Sequence, residues 1–288
     1  MTVASILKPR LHDLGGGMMV RRLLPAPGRQ GVGPFVFLDH FGPISVRPDN
    51  NFDVRPHPHI GLATVSYLFE GAMVHRDSLG SVQRIEAGAI NWMTAGRGIV
   101  HSERRPAELL GRDYMLHGLQ LWAALPVECE EVAPAFIHTP AADLPVLEWG
   151  SASVRVLIGR AFGGSSPVAT LAETLYLDVS ASPGARLELG STDLERAVYS
   201  VNQPLVIDEL AVEAGTLAVL APGAAAIVVA PAGARFVVLG GAALDGHRHI
   251  WWNFVSSSRE RIEQAKADWK AQRMGTIPGE REWMPLPG

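Results

Sequence analysis

Short apolar runs that alternate with a period of two, most of them closed off by glycine or proline, dominate this 288-residue chain. In the run ARLEL at 185–189, Leu187 and Leu189 share a face, and in ETLYLDVS at 173–180, Leu175, Leu177 and Val179 do the same. Such alternation is the mark of strands with one face buried. Many short strands punctuated by turns predict an all-β sandwich or barrel rather than a βαβ fold. In the first half strands are expected around 34–39, 62–69, 72–77, 82–86, 90–94 and 116–122. In the second half they are expected around 153–158, 173–180, 185–189, 195–201, 204–208, 216–221, 225–230 and 235–239. The length suits two domains, and a Pro/Ala-rich stretch near 138–146 reads as the connector, giving domains over 1–138 and 139–288. One helix is predicted at the C-terminus. There Ser257 and Glu260 fit a capping box, and Ile262, Ala265 and Trp269 form a stripe at helical spacing.

Composition closes off several classes of function. Apolar residues make up 47% of the chain and charged residues 19%, the balance of a globular protein with sizeable cores. A formal net charge of −4 without any basic run argues against direct nucleic-acid binding. Cys129 is the only cysteine, so an intrachain disulfide or a multi-thiolate zinc site is ruled out, and it is expected to be an inert buried thiol. The opening MTVASILKPR lacks an apolar core of signal-peptide length. The Ala/Val-rich stretch 217–229 is broken by Pro222 and Gly223, too short to span a bilayer. A cytoplasmic protein that does not engage membranes is therefore expected.

The histidines are unevenly placed. Eight of the ten lie at or before residue 138, and none falls between 139 and 246. In RPHPHIGL, His57 and His59 are two apart, so on an extended backbone both imidazoles point to one side, with Pro56 and Pro58 stiffening the approach. About forty residues on, NWMTAGRGIVHSE repeats the spacing with His101 and Glu103, just after a Gly96-Arg97-Gly98 turn that permits close approach. An HxH pair alone is commonly a surface feature. With an HxE pair on a neighbouring strand it converges on a three-nitrogen, one-carboxylate set, suited to divalent iron, nickel, copper, zinc or manganese. His75 and His117 are candidates for lining the cavity or orienting a ligand. His40, in LDHFGP, reads as a turn residue. His247 and His249 imitate the ligand spacing without an accompanying pair, so the second half is expected to lack a metal, and the neighbouring Trp251, Trp252 and Phe254 read as core.

The segments RPHPHIGLATVSYLFEG, HRDSLG, NWMTAGRGIVHSE and HGLQLW, with FVFLDHFGP upstream and the C-terminal helix, resemble the pirin family. The match is dense over 12–125 and diffuse afterwards. This resemblance implies a bicupin, that is, two antiparallel cupin-type β-barrels, with one metal ion, usually Fe(II), in the first barrel. The family's ligands fall on His57, His59, His101 and Glu103. The chain departs from the common cupin pattern at Ala63, where a glutamate often follows HxH, which puts substrate selection rather than the metal in question.

What the resemblance implies for function divides in two. One reading is a metal-dependent dioxygenase of the quercetin 2,3-dioxygenase kind, taking a small aromatic enol and O2, with Glu103 as both ligand and base. The alternative is a non-enzymatic, redox-sensing regulator that binds a partner protein through a change in metal charge. A metal-dependent isomerase is a third reading.

Overall fold

Alternation becomes strand where it was expected. Ala185–Leu189 buries Ala185, Leu187 and Leu189 and exposes the residues between them. Thr174–Ala181 lies inside a sheet and buries both faces over most of its length. The computed structural model describes residues 1–15, 17–50 and 52–287. The chain divides into two units: Met1–Leu11, Arg21–Leu38 and Ala142–Ala243 form one, and His12–Val20, Asp39–Ala141 and Leu244–Gly288 the other. Neither follows a single cut in the sequence, because both chain ends are exchanged; the C-terminal helix groups with the histidine-rich unit.

In the unit containing 142–243, a seven-stranded sheet runs in the order Val3–Leu7, Leu217–Leu220, Glu195–Ser200, Ala234–Gly241, Thr174–Ala181, Ala152–Ile158, Val146–Trp149. A four-stranded sheet is ordered Ala185–Leu189, Ala226–Ala230, Leu205–Ile207, Leu210–Val212. Their inner faces meet in a core of aliphatic side chains, among them Val154, Leu177, Leu187, Val198, Ile207 and Val238, with Phe236. Hydrocarbon fills the interior of this barrel.

The histidine-rich unit has the same two-sheet plan. One sheet is ordered Ala135–Thr139, Ile90–Thr94, Leu62–Glu70, Tyr114–Ala124, and then the part of the strand Phe35–Val46 that begins at Asp39. The other is ordered Val54–His59, Ile99–Arg104, Ala72–Asp77, Val82–Glu86. Ile85 of the smaller sheet packs with Phe41, Leu68 and Leu116 of the larger. Val54–His59 is an edge strand, where a strand carrying two prolines can sit, since proline cannot donate to a ladder. The expected connector reduces to a 3₁₀ turn, Ala141–Asp143, between the strands Ala135–Thr139 and Val146–Trp149.

The helix Arg259–Lys270 buries Ile262, Ala265 and Trp269 against Ile60, Val100 and Phe254. Its cap is one residue later than the capping box predicted. Ser258 accepts the Arg261 N–H at 3.2 Å and donates to Glu260. Ser257 is spent elsewhere, giving both its N–H and its hydroxyl to Glu130. A hairpin of His249–Trp251 and Phe254–Ser256 precedes the helix. Among the described residues no helix is long and apolar enough to cross a membrane.

Candidate metal centre

Antiparallel pairing sets His101 directly opposite His57 and Ile99 opposite His59. Two residues apart on a strand is one face, so all three imidazoles converge. Ring centroids lie 4.3 Å apart for His57–His101 and 5.0 Å for both His57–His59 and His59–His101. Each ring offers a ligand nitrogen, all within 4.8 Å of one another. The three side chains are buried.

Each Nδ1 is already engaged. His57 Nδ1 lies 2.9 Å from the Arg55 carbonyl, and His59 Nδ1 lies 3.1 Å from the carbonyl of Asn253. A carbonyl only accepts, so both Nδ1 atoms carry the proton and both Nε2 atoms present a lone pair. His101 Nδ1 lies 3.4 Å from His75 Nδ1, while its Nε2 is buried with no protein partner among the described residues. A buried nitrogen left unpaired beside two other lone pairs is costly on its own and is what a cation would satisfy. Burial lowers all three histidines, His57 to about 4 and the others well below their ordinary value, with the neighbouring imidazoles adding to the effect. They are therefore neutral at pH 7 and bind a cation without first losing a proton. The residues present fit a divalent metal ion with nitrogen ligands.

Glu103 stands apart from this group. The ladder shifts between His101 and Glu103, which pairs with Val54 rather than Arg55. Such a bulge re-aims a side chain. Glu103 lines a cavity with Phe41, Val46, Phe52, Met73 and Leu116, a space of about 570 Å³ counting its open mouth. Burial pushes its carboxyl up to about 7.

The residues flanking Glu103 on the strand reach the C-terminal segment. Ser102 donates to Glu280 at 2.6 Å, Arg104 pairs with the same carboxylate, and Met284 N–H donates to the Pro56 carbonyl at 2.8 Å. The C-terminal segment thus braces both ligand strands from behind. Glu280→Ala is expected to cost roughly 1.5–3 kcal/mol, the range for hydrogen bonds to charged groups. It should also weaken metal binding, both measurable by urea unfolding and chelator competition.

Two family models match the chain, Pirin over residues 17–123 and the pirin C-terminal cupin domain over 176–275. The chain belongs to the pirin family. It is 44% identical to a pirin-like protein of Caulobacter vibrioides over 98% of both chains, and 33% identical to human pirin over 92% of this chain and 91% of that one. Among solved structures, a quercetin 2,3-dioxygenase from Acinetobacter baumannii superposes with a TM-score of 0.92 at 31% identity, covering 99% of this chain and 95% of that one. The two units are thus cupin barrels, as the motifs implied.

In this pirin fold His40 and Cys129 differ from their sequence reading. His40 is not in a turn. The strand Phe35–Val46 runs through LDHFGP, and His40 is buried with its Nε2 2.7 Å from that of His117, the two rings stacked. Cys129 is half-buried rather than buried. Ala63 is fully buried on Leu62–Glu70, paired with Thr94 and Ala123. The rings of His247 and His249 meet edge to face, with centroids 4.9 Å apart. Phe254 is buried core, and Trp251 and Trp252 pack against it partly buried. Two groups escaped the sequence reading, the Asn253 carbonyl behind His59 and the Asp77 carboxylate, which accepts from His75. Trp252, beside Asn253, adopts φ 51°, a left-handed conformation unusual for a bulky side chain.

Proposed function

We propose that this protein is a metal-dependent dioxygenase of the quercetin 2,3-dioxygenase type, acting on a planar aromatic enol with O2. The observation that carries the reading is a buried, neutral three-histidine group, with Glu103 two residues from His101 on the same strand and lining a largely apolar cavity. The likeness to a solved quercetin 2,3-dioxygenase supports the same reaction class.

In this reading His57, His59, His101 and Glu103 hold the ion, with Fe(II) as the native metal. When bound, the metal supplies Lewis acidity and electron exchange with O2. The remaining work falls to the chain. Phe41, Val46, Phe52, Met73 and Leu116 pack on the aromatic body and exclude water. Gln120, held by Ser66 at 2.8 Å, gives that wall a fixed polar point. Glu103, at the cavity wall, is the residue that would take the enol proton. Both atoms of O2 end in the products, carbon monoxide and a depside when the substrate is quercetin.

Anaerobic loading with Fe(II), followed by coupled measurement of oxygen uptake and flavonol absorbance, tests the reading. Glu103→Gln is expected to lower turnover at least about 100-fold, the lower range for loss of a general base. Equal rates for Glu103→Gln and wild type would reject the mechanism. Glu103 also sets a pH dependence. Below about 7 the metal competes with the proton on its raised carboxyl, so affinity should rise up to about tenfold per pH unit toward 7 and then level off. In Glu103→Gln that slope should flatten, because His57 does not protonate until about 4.

A further inference from the structure

Behind His101 lies a buried polar chain that ends in a carboxylate. The strand Ala72–Asp77 pairs with Ile99–Arg104 so that Asp77 faces His101 and His75 faces Glu103. Asp77 is 0% exposed and His75 3%. Asp77 Oδ1 accepts the N–H groups of Leu79 at 2.9 Å and Ser81 at 3.0 Å, and Oδ2 lies 2.9 Å from His75 Nε2. The His75 ring stacks on Phe136 with centroids 4.0 Å apart and planes within 7°, which fixes its orientation. Its other nitrogen is the one facing His101 Nδ1 at 3.4 Å.

The directions of these hydrogen bonds are not free. An ionised carboxylate only accepts, so His75 must hold its proton on Nε2 and donate it to Asp77. With that as its single proton, His75 has an acceptor at Nδ1. His101 must therefore donate from Nδ1, which leaves the lone pair of its Nε2 bare. That is the nitrogen with no protein partner. His57 and His59 have their tautomers set by backbone carbonyls, whereas His101 has no carbonyl partner and meets a second histidine instead.

We infer that Asp77, acting through His75, dictates which nitrogen of His101 is free to hold a metal, so that Asp77 and His75 are positioning residues of the centre. The inference rests on the three-histidine group being a metal site and not on the dioxygenase reaction. It has an unusual consequence. Asp77→Asn is isosteric, and the new amide must keep its oxygen toward Leu79 and Ser81, since both of those are donors. Its NH2 then faces His75 Nε2 and turns that atom into an acceptor. His75 would donate from Nδ1, His101 would accept there, and the proton would move to His101 Nε2, where it blocks the metal. His75→Phe instead cuts the chain and leaves His101 to choose either tautomer.

The test uses zinc as the probe, with affinities from chelator competition and tautomers from ¹⁵N shifts of the imidazoles in the metal-free protein. Asp77→Asn is expected to weaken zinc binding about 10- to 100-fold, the range for loss of a partner behind a metal ligand, and to lose more than His75→Phe. The His101 proton should sit on Nδ1 in the wild type and on Nε2 in Asp77→Asn. Zinc binding as tight in Asp77→Asn as in the wild type, an unchanged tautomer, or an equal or larger loss in His75→Phe would each overturn the inference. Should Asp77→Asn fail to fold, the wild-type tautomers decide alone, and an Nε2 proton on His101 overturns the relay. Absence of zinc binding by the wild type would instead sink the metal site itself.

Discussion

Replacing His101 by leucine is expected to abolish stoichiometric metal binding while leaving the metal-free protein within about 1 kcal/mol of wild-type stability, since it exchanges one unpaired buried nitrogen for another. In the wild type the unpaired atom is His101 Nε2; in the variant it is His75 Nδ1, which loses its donor. Leucine fills similar volume, so no large cavity is left to add a further cost. The loss of metal is nearly complete because His101 is central. It lies within 5.0 Å of both other rings, from a strand separate from theirs. Metal analysis after dialysis and urea unfolding of the stripped protein measure the two halves of the expectation. A variant that keeps one ion per chain would show that the ion is held elsewhere.

A second large effect is expected well away from the imidazoles. Arg248 is 0% exposed, with Nε 2.9 Å from Glu130 and Nη2 2.8 Å from the Leu125 carbonyl. It also pairs with Asp245. Arg248→Met strands the buried Glu130 carboxylate, and removing one partner of such a pair costs about 3–5 kcal/mol. Ser256 and Ser257 remain to hydrogen-bond Glu130, but they do not neutralise it. The adjoining hairpin delivers the Asn253 carbonyl to His59, so metal affinity should fall together with stability. Adding Glu130→Met to Arg248→Met should recover part of the loss, because the uncompensated charge is removed. If the double variant is no more stable than the single, the cost does not come from that charge.

The histidine spacing made the centre legible because a strand repeats every two residues, and that needs no tertiary knowledge. The same rule could not reveal Asp77, whose role depends on the register between Ala72–Asp77 and Ile99–Arg104. Nor could it reveal Asn253, which acts through a backbone carbonyl 194 residues from His59 and so leaves no side-chain signature. Glu103 was legible as a partner of His101, but the bulge that turns it toward the cavity is a property of pairing, not of spacing. His40 was misread because Gly42-Pro43 resembles a turn, whereas the strand continues through it to Val46.

The prolines of the edge strand have a consequence for association between molecules. In an antiparallel strand the N–H and C=O of one residue point the same way, and alternate residues share a side. The Pro56 carbonyl takes its hydrogen bond from Met284, away from the Ile99–Arg104 ladder, so positions 56 and 58 are those that face outward. Neither has an N–H. An incoming strand from another chain would find acceptors there and no donors, and could form only half of a ladder. An exposed strand edge is normally an invitation to aggregate, and here the residues that stiffen the approach of two metal ligands also withdraw that invitation, whether or not the C-terminal segment stays in place.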